Sequence, residues 1–265
     1  MDMSGYQSFV FSHSDYTHTV YMKGSGIPVL VMHELPGLTR DTLQFAERLI
    51  SAGFQVYVPL LFGQLQERGS LLKGYFHCIS KEFAYLKAGR SAPVSDWLRA
   101  LVRELGATHG HDRIGVIGMC VTGAFVIPLI LETNVGAAVA SQPAIPFKFR
   151  YWLTGRGEGP WMSELNIADD ELEEASRTAV TKGCAVLIQH FSDDRLCTLP
   201  RIQRLGQAFA KTGIVYTYAP PADGRRTHHA LLTYEYDSAK KPTQNHPTRL
   251  ALQRVTDFLH LHLQA

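Results

Sequence analysis

The stretch that most constrains this chain runs from Asp112 to Leu131: Asp-Arg-Ile-Gly-Val-Ile-Gly-Met-Cys-Val-Thr-Gly-Ala-Phe-Val-Ile-Pro-Leu-Ile-Leu. It reads as a buried strand from Arg113 to Gly118, a sharp turn carrying Cys120, and a helix starting near Val121. A nucleophile held on such a turn projects from the carboxyl end of the strand, and small neighbours are needed because the turn strains the backbone and crowds the helix against the sheet. Gly118 supplies the first small position. Two residues after the cysteine, where this turn wants glycine, stands Thr122, with Gly123 following.

Three other readings compete. The run from Ile114 to Leu131 is uncharged and approaches membrane-spanning length, but its glycines, Thr122 and Pro128 suit a strand, turn and helix better. Gly115, Gly118 and Gly123 lack G-x-G-x-x-G spacing, and no acid ends a second strand about 20 residues on, so a dinucleotide turn is not supported. Cys120 as an inert core thiol is the third, and it is weighed by what stands at the other strand ends.

With 265 residues the chain is long enough for one large α/β domain over residues 1–265. A net charge of +2 argues against a broad nucleic-acid or acidic-membrane surface. Cys78, Cys120, Cys184 and Cys197 show no C-x-x-C spacing, and the first residues have neither a basic nor an apolar leader region, so a reduced, cytoplasmic setting is expected. His109/His111 and His260/His262 form isolated H-x-H pairs without a third ligand, so they are expected to be solvated surface histidines, and no metal is expected.

Residues 6 to 23 read as two short strands joined by a polar turn, a plausible antiparallel edge. Pro28 to Met32 is a strand buried on both faces, Thr39 opens a helix that Gly53 ends, and Phe54 to Pro59 is the next strand. Pro93 suits the first turn of a helix through Leu105 that leads into the Cys120 strand. Val135 to Ser141, Ala185 to His190 and Ile214 to Ala219 read as strands, with helices from Leu199 to Lys211 and Pro247 to Leu263. Residues 144 to 182, including an acidic helix from Asp169 to Thr181, read as an insertion over the carboxyl edge. The alternation implies a mostly parallel sheet covered by helices on both faces.

In such sheets function sits beyond the carboxyl ends of the strands. After the strand 185–190 comes Phe191-Ser-Asp-Asp-Arg195, and after the strand 214–219 come His228 and His229. The order cysteine, acid, histidine is that of α/β-hydrolases and of neither familiar serine-protease fold. The histidine would take the thiol proton and later activate water, the acid would hold its tautomer, and a helix N-terminus would favour thiolate. An oxyanion hole needs two amide donors. Val121 supplies one and, in His33-Glu34-Leu35-Pro36-Gly37, Leu35 is the natural second because Pro36 has no N–H. Glu34 at the mouth of a hydrophobic strand is either catalytic or paired to an arginine.

The stretches His-Glu-Leu-Pro-Gly-Leu (33–38), Ala-Gly-Phe-Gln-Val-Tyr-Val-Pro-Leu-Leu-Phe-Gly (52–63) and Gly-Met-Cys-Val-Thr-Gly (118–123) resemble the dienelactone hydrolase family, and the similarity covers most of residues 28 to 263. The resemblance implies an α/β-hydrolase fold, and residues 65–92 and 147–182, which it covers least, read from their place in the chain as cap-like insertions. It implies Cys120 as nucleophile, Asp194 (rather than Asp193) and His229 (rather than His228) as its partners, and Glu34 beside the thiol. Family members that hydrolyse dienelactone carry an arginine shortly after the histidine to hold the substrate carboxylate; here that position looks like Thr233, which puts dienelactone itself in question, while Arg225, Arg226 and Arg90 leave an anionic substrate open. The resulting expectation is a cofactor-free cysteine hydrolase of a small ester or lactone, acting through a thioester, with no nucleic-acid or membrane partner. Acyl transfer on the same residues and a non-catalytic binding protein of the same fold are the alternatives. The two insertions are expected to cap the pocket and select substrate, with Tyr85, Arg90 and Trp152 as substrate-binding residues.

Overall fold

The computed structural model describes residues 3–63, 65, 93–145, 158–165, 167–221, 227–238, 243 and 245–264. Tyr85, Arg90 and Trp152 lie outside the described residues, as do residues 66–92 of the first expected cap segment and 147–157 of the second.

Eight strands form one sheet in the order β1-β2-β4-β3-β5-β6-β7-β8. They are β1 (Gln7–His13), β2 (Tyr16–Lys23), β3 (Ile27–Met32), β4 (Phe54–Pro59), β5 (Ile114–Met119), β6 (Val135–Ser141), β7 (Ala185–Phe191) and β8 (Gly213–Tyr218). The hairpin β1–β2 and the β2–β4 pair are antiparallel, and every pair from β4 through β3 to β8 is parallel. β3, β5 and β6 are apolar without alternation because helices cover both their faces.

The helices α1 (Arg40–Ser51) and α8 (Pro247–Leu263) cover one face, burying Leu43, Phe45, Leu49, Val255 and Leu259 against Val29, Val31, Ile117 and Val139. On the other face, α2 (Pro93–His109), the short α3 (Val126–Leu129), α5 (Asp169–Lys182) and α6 (Leu199–Ala208) pack against Leu30, Met32, Val116, Ala138 and Ile188. Two further short helices are α4 (Glu158–Ser163) and α7 (Tyr234–Ser238). No described helix is long and apolar enough to cross a membrane.

Three sequence expectations change. The acidic helix α5 is not part of a cap: it connects the parallel strands β6 and β7, and its Leu172, Ala175 and Ala179 are buried in the core. A parallel pair demands such a crossover, and the charges simply occupy its wet face. After Cys120 the chain does not enter one helix but a single 3-10 turn, Cys120–Gly123, before the four-residue α3, so a helix dipole is a weak source of thiolate stabilisation. The H-x-H pairs are not simply solvated either. His111 Nε2 lies 3.1 Å from the Tyr57 hydroxyl, and His260 Nε2 lies 2.9 Å from the Ala52 carbonyl with its ring against Phe54.

Candidate active site

Cys120 opens the 3-10 turn directly after β5 with φ +57°, in the left-handed region that a non-glycine residue adopts at a cost of about 1–3 kcal/mol when its surroundings enforce it. The enforcement is visible on both sides. A Cβ on Gly118 would collide with the Thr122 carbonyl, and one on Gly123 would lie 2.8 Å from Pro143 Cα, so both positions must be glycine.

Thr122, the departure from the expected turn, has a fully buried side chain that replaces flexibility with hydrogen bonds. Its Oγ1 accepts from Met119 N–H at 2.9 Å, and its single proton faces three carbonyls, those of Met119 at 2.9 Å, Met32 at 3.1 Å and His33 at 3.3 Å. The turn carrying the cysteine is thereby tied to the end of β3.

Both expected oxyanion donors belong to peptides whose carbonyls are pinned. The Cys120 carbonyl accepts from Ala144 N–H at 2.9 Å. In a trans peptide the N–H points opposite to the C=O, so the Val121 N–H is turned away from Ala144. Likewise the Glu34 carbonyl accepts from Gly37 N–H at 3.1 Å and lies 2.9 Å from His33 Nδ1, which turns the Leu35 N–H away from that turn. The following Leu35–Pro36 peptide is cis. Among the described residues neither N–H is engaged in a turn or loop hydrogen bond.

His33, which sequence reasoning passed over, holds this loop from inside. Its ring is fully buried, and its Nε2 accepts from Leu61 N–H at 3.0 Å. Burial pushes the imidazole down to about 4, so it is neutral, with Nδ1–H donating to Glu34. Its position directly after a buried strand was the available signal.

The acid and histidine come together from two different strand ends. His229 Nδ1 lies 2.6 Å from Asp194 Oδ2, and the Asp194 side chain is 2% exposed. The other carboxylate oxygen, Oδ1, accepts from the amides of Leu196 at 2.8 Å and Cys197 at 3.0 Å. Burial opposes ionisation of Asp194, but the His229 ring and these two amides hold its carboxyl below the usual range. Burial would also lower His229. The Cys120 sulfur and the Asp194 carboxylate overcome it and hold the imidazole up at about 10. The far nitrogen, Nε2, is buried and makes no hydrogen bond of normal geometry.

The alternatives at each position are engaged elsewhere. Asp193 accepts from the Thr227 hydroxyl, and His228 is exposed, its ring tilted against that of Tyr234, with its Nδ1 accepting from Ala230 N–H. Cys184 and Cys197 are buried in the core, and burial pushes their thiols up, Cys184 to about 11. Cys120 is partly exposed.

Among the described residues, Glu34 is bound by neutral groups rather than by an arginine. The Thr233 hydroxyl donates to Oε2 at 2.6 Å and the Gln142 amide donates to Oε1 at 2.6 Å. Burial raises its pKa, against those two hydrogen bonds and the nearby His229.

Residues 19–261 match the model of the dienelactone hydrolase family. No curated protein sequence gives a significant match. Among solved structures, a dienelactone hydrolase-like promiscuous phosphotriesterase from metagenomic libraries superposes with a TM-score of 0.66 at 15% identity, over 97% of this chain and 98% of that one. Est1E from Butyrivibrio proteoclasticus gives 0.57 at 13% identity over 97% and 99%, and an esterase from Pyrococcus furiosus gives 0.55 at 14% identity over 97% and 93%. At such identities the structures establish a shared α/β-hydrolase fold.

Proposed function

Since the chain belongs to the dienelactone hydrolase family and is an ester-bond hydrolase, we propose that it cleaves a small ester or lactone with Cys120 as nucleophile, His229 as base and Asp194 as the acid that orients it. The observation that carries this reading is the His229–Asp194 contact of 2.6 Å with the opposite ring nitrogen buried and the Cys120 sulfur beside the imidazole, on a cysteine held at φ +57°. Asp194 fixes the tautomer by accepting Nδ1–H, which leaves Nε2 to exchange a proton with sulfur.

The Cys120 sulfur attacks the acyl carbon, and the carbonyl oxygen becomes an oxyanion met by the Val121 and Leu35 amides. When the C–O bond breaks, His229 Nε2 gives its proton to the departing alkoxide, leaving a thioester. Water then loses a proton to the same nitrogen and attacks, releasing the acid and the thiol. Each step uses groups of this chain.

Thr233 narrows the substrate. Its hydroxyl is spent on Glu34, where dienelactone-cleaving relatives were expected to carry a carboxylate-binding arginine. A substrate without a carboxylate at that place follows.

Turnover of matched neutral and carboxylate-bearing activated esters and lactones, beside alkylation and mass mapping of cysteines, tests both parts. Neutral esters should be preferred, Cys120 should be the modified residue, and Cys120→Ala should fold normally without turnover. Retention of most esterase rate by that variant would refute the nucleophile.

A further inference from the structure

We infer that Gln142 is a positioning residue of the active site, the last link of a one-way hydrogen-bond chain that holds the Glu34 carboxylate as an acceptor. The inference rests on the reading of Glu34 and Cys120 as parts of one site and goes beyond it by assigning what sets the Glu34 charge.

The chain crosses the carboxyl ends of three adjacent strands. The Tyr218 hydroxyl donates to Gln189 Oε1 at 3.2 Å, Gln189 Nε2 donates to Ser141 Oγ at 3.2 Å, and Ser141 Oγ donates to Gln142 Oε1. Gln142 Nε2 then donates to Glu34 Oε1 at 2.6 Å. Ser141, Gln142 and Gln189 are fully buried, so no water competes. Every donor points the same way, and a chain of this polarity strengthens each successive bond and needs an acceptor at its end. With Thr233 donating to the other oxygen, both Glu34 oxygens accept, which is the pattern of a carboxylate.

Gln142 is also built in more firmly than a passive neighbour. Its φ is +36°, a left-handed conformation unusual for a residue with a side chain. Its N–H donates to the Gln189 carbonyl at 2.7 Å. The next two residues grip the cysteine turn, Pro143 against Gly123 and Ala144 N–H on the Cys120 carbonyl. Residues 142–144 thus fix Glu34 and the nucleophile from one short segment.

Among the described residues, the charged and titratable groups facing Glu34 are His229 from the loop after β8, Asp41 from α1 and His33 on its own loop. His229 favours the carboxylate and Asp41 opposes it. Removing the Gln142 donor therefore tips an opposed balance toward the neutral acid.

The test is a 13C NMR titration of the Glu34 side-chain carboxyl, assigned by its loss in Glu34→Gln, run beside the pH dependence of Cys120 alkylation by iodoacetamide. In Gln142→Leu the Glu34 midpoint should rise by about one pH unit, the scale of one charge-assisted hydrogen bond, and the alkylation profile should move with it. Ser141→Ala, one link upstream, should shift both the same way by less, and it decides the matter should the leucine variant not fold. In the Glu34→Gln background, Gln142→Leu should leave the alkylation profile where it was. An unmoved Glu34 midpoint, or a midpoint that moves while alkylation does not, overturns the inference. Failure of the parent reading looks different: Cys120→Ala would keep its ester turnover while Glu34 still responded to Gln142.

Discussion

Replacing Thr122 by valine removes one hydroxyl and keeps the branched shape, so it isolates what the hydrogen bonds at the cysteine turn are worth. The hydroxyl accepts from Met119 N–H at 2.9 Å and donates toward the Met32 and His33 carbonyls, all in a fully buried setting. Valine strands the Met119 amide without a partner, and an orphaned buried donor costs about 1–3 kcal/mol. An expected loss of about 2 kcal/mol, with a urea slope of about 2–3 kcal/mol/M, lowers the unfolding midpoint by roughly 0.7–1 M. Thr122→Ser keeps the bonds and loses only a methyl group, so it should cost less than about 1 kcal/mol. The assay is urea unfolding followed by circular dichroism, with the slope checked for constancy. Turnover should fall further in valine than in serine, because the same hydroxyl ties the cysteine turn to the loop carrying Leu35. Serine costing more than valine, or a valine midpoint within about 0.2 M of wild type, would refute the reasoning.

Several other outcomes are expected. His229→Ala should lower turnover by about 10² or more while His228→Ala costs far less, and kinetics of the two single variants would expose an error of one residue if the order reversed. Gly118→Ala should fold poorly or not at all, because its Cβ would fall on the Thr122 carbonyl; a soluble variant with native melting behaviour would contradict this. His33 is buried neutral with its pKa lowered from 6.5 to about 4, so the unfolded chain binds the extra proton between those values and stability should fall as pH drops from 6.5 toward 4. The loss from this one group is at most about 3 kcal/mol, and His33→Asn should show a flatter pH dependence in urea melts over that window. Arg201 is buried at the start of α6 and donates to the carbonyls of Trp161, Glu164 and Leu196; Arg201→Lys should cost about 2–3 kcal/mol, seen in the same melts, because lysine cannot reach all three.

The sheet was readable because its strands are apolar runs bounded by Gly and Pro. β4, β6 and α8 begin and end where the pattern placed them. The elbow was readable for the same reason, but the unbroken apolar run after Cys120 hid the change from 3-10 turn to short helix, since burial on all sides erases the periodicity that separates them. The acidic helix α5 was assigned to an insertion because its charges drew attention from its three buried residues. Least legible were the partners of Glu34. Thr233 and Gln142 stand 199 and 108 residues away, and only the register of β6 and the path of the loop after β8 bring them to it. His33 was overlooked because a lone histidine after a strand looks the same whether it is a surface residue or a buried clamp.

The attachment of α4 to α6 has a bearing on how this part of the molecule tolerates change. Arg201 donates to the carbonyls of Trp161 at 2.9 Å and Glu164 at 2.7 Å, Arg204 to that of Ser163 at 3.0 Å, and Thr198 to that of Met162. Four consecutive carbonyls at the end of α4 are thus capped by side chains of another helix. Every amino acid carries the same carbonyl, so these hydrogen bonds do not depend on which residues stand at 161–164, although the Arg201 guanidinium also lies over the Trp161 ring, 5.1 Å from its centroid. Arg201 also bonds the carbonyl of Leu196 at 2.5 Å, and the N–H of that residue donates to Asp194. Substitutions along 161–164 that preserve the helical turn should leave the carbonyl hydrogen bonds in place, whereas a single inserted or deleted residue would misalign the carbonyls and pull on the loop that holds Asp194. For directed evolution, this is a place to vary letters and never length.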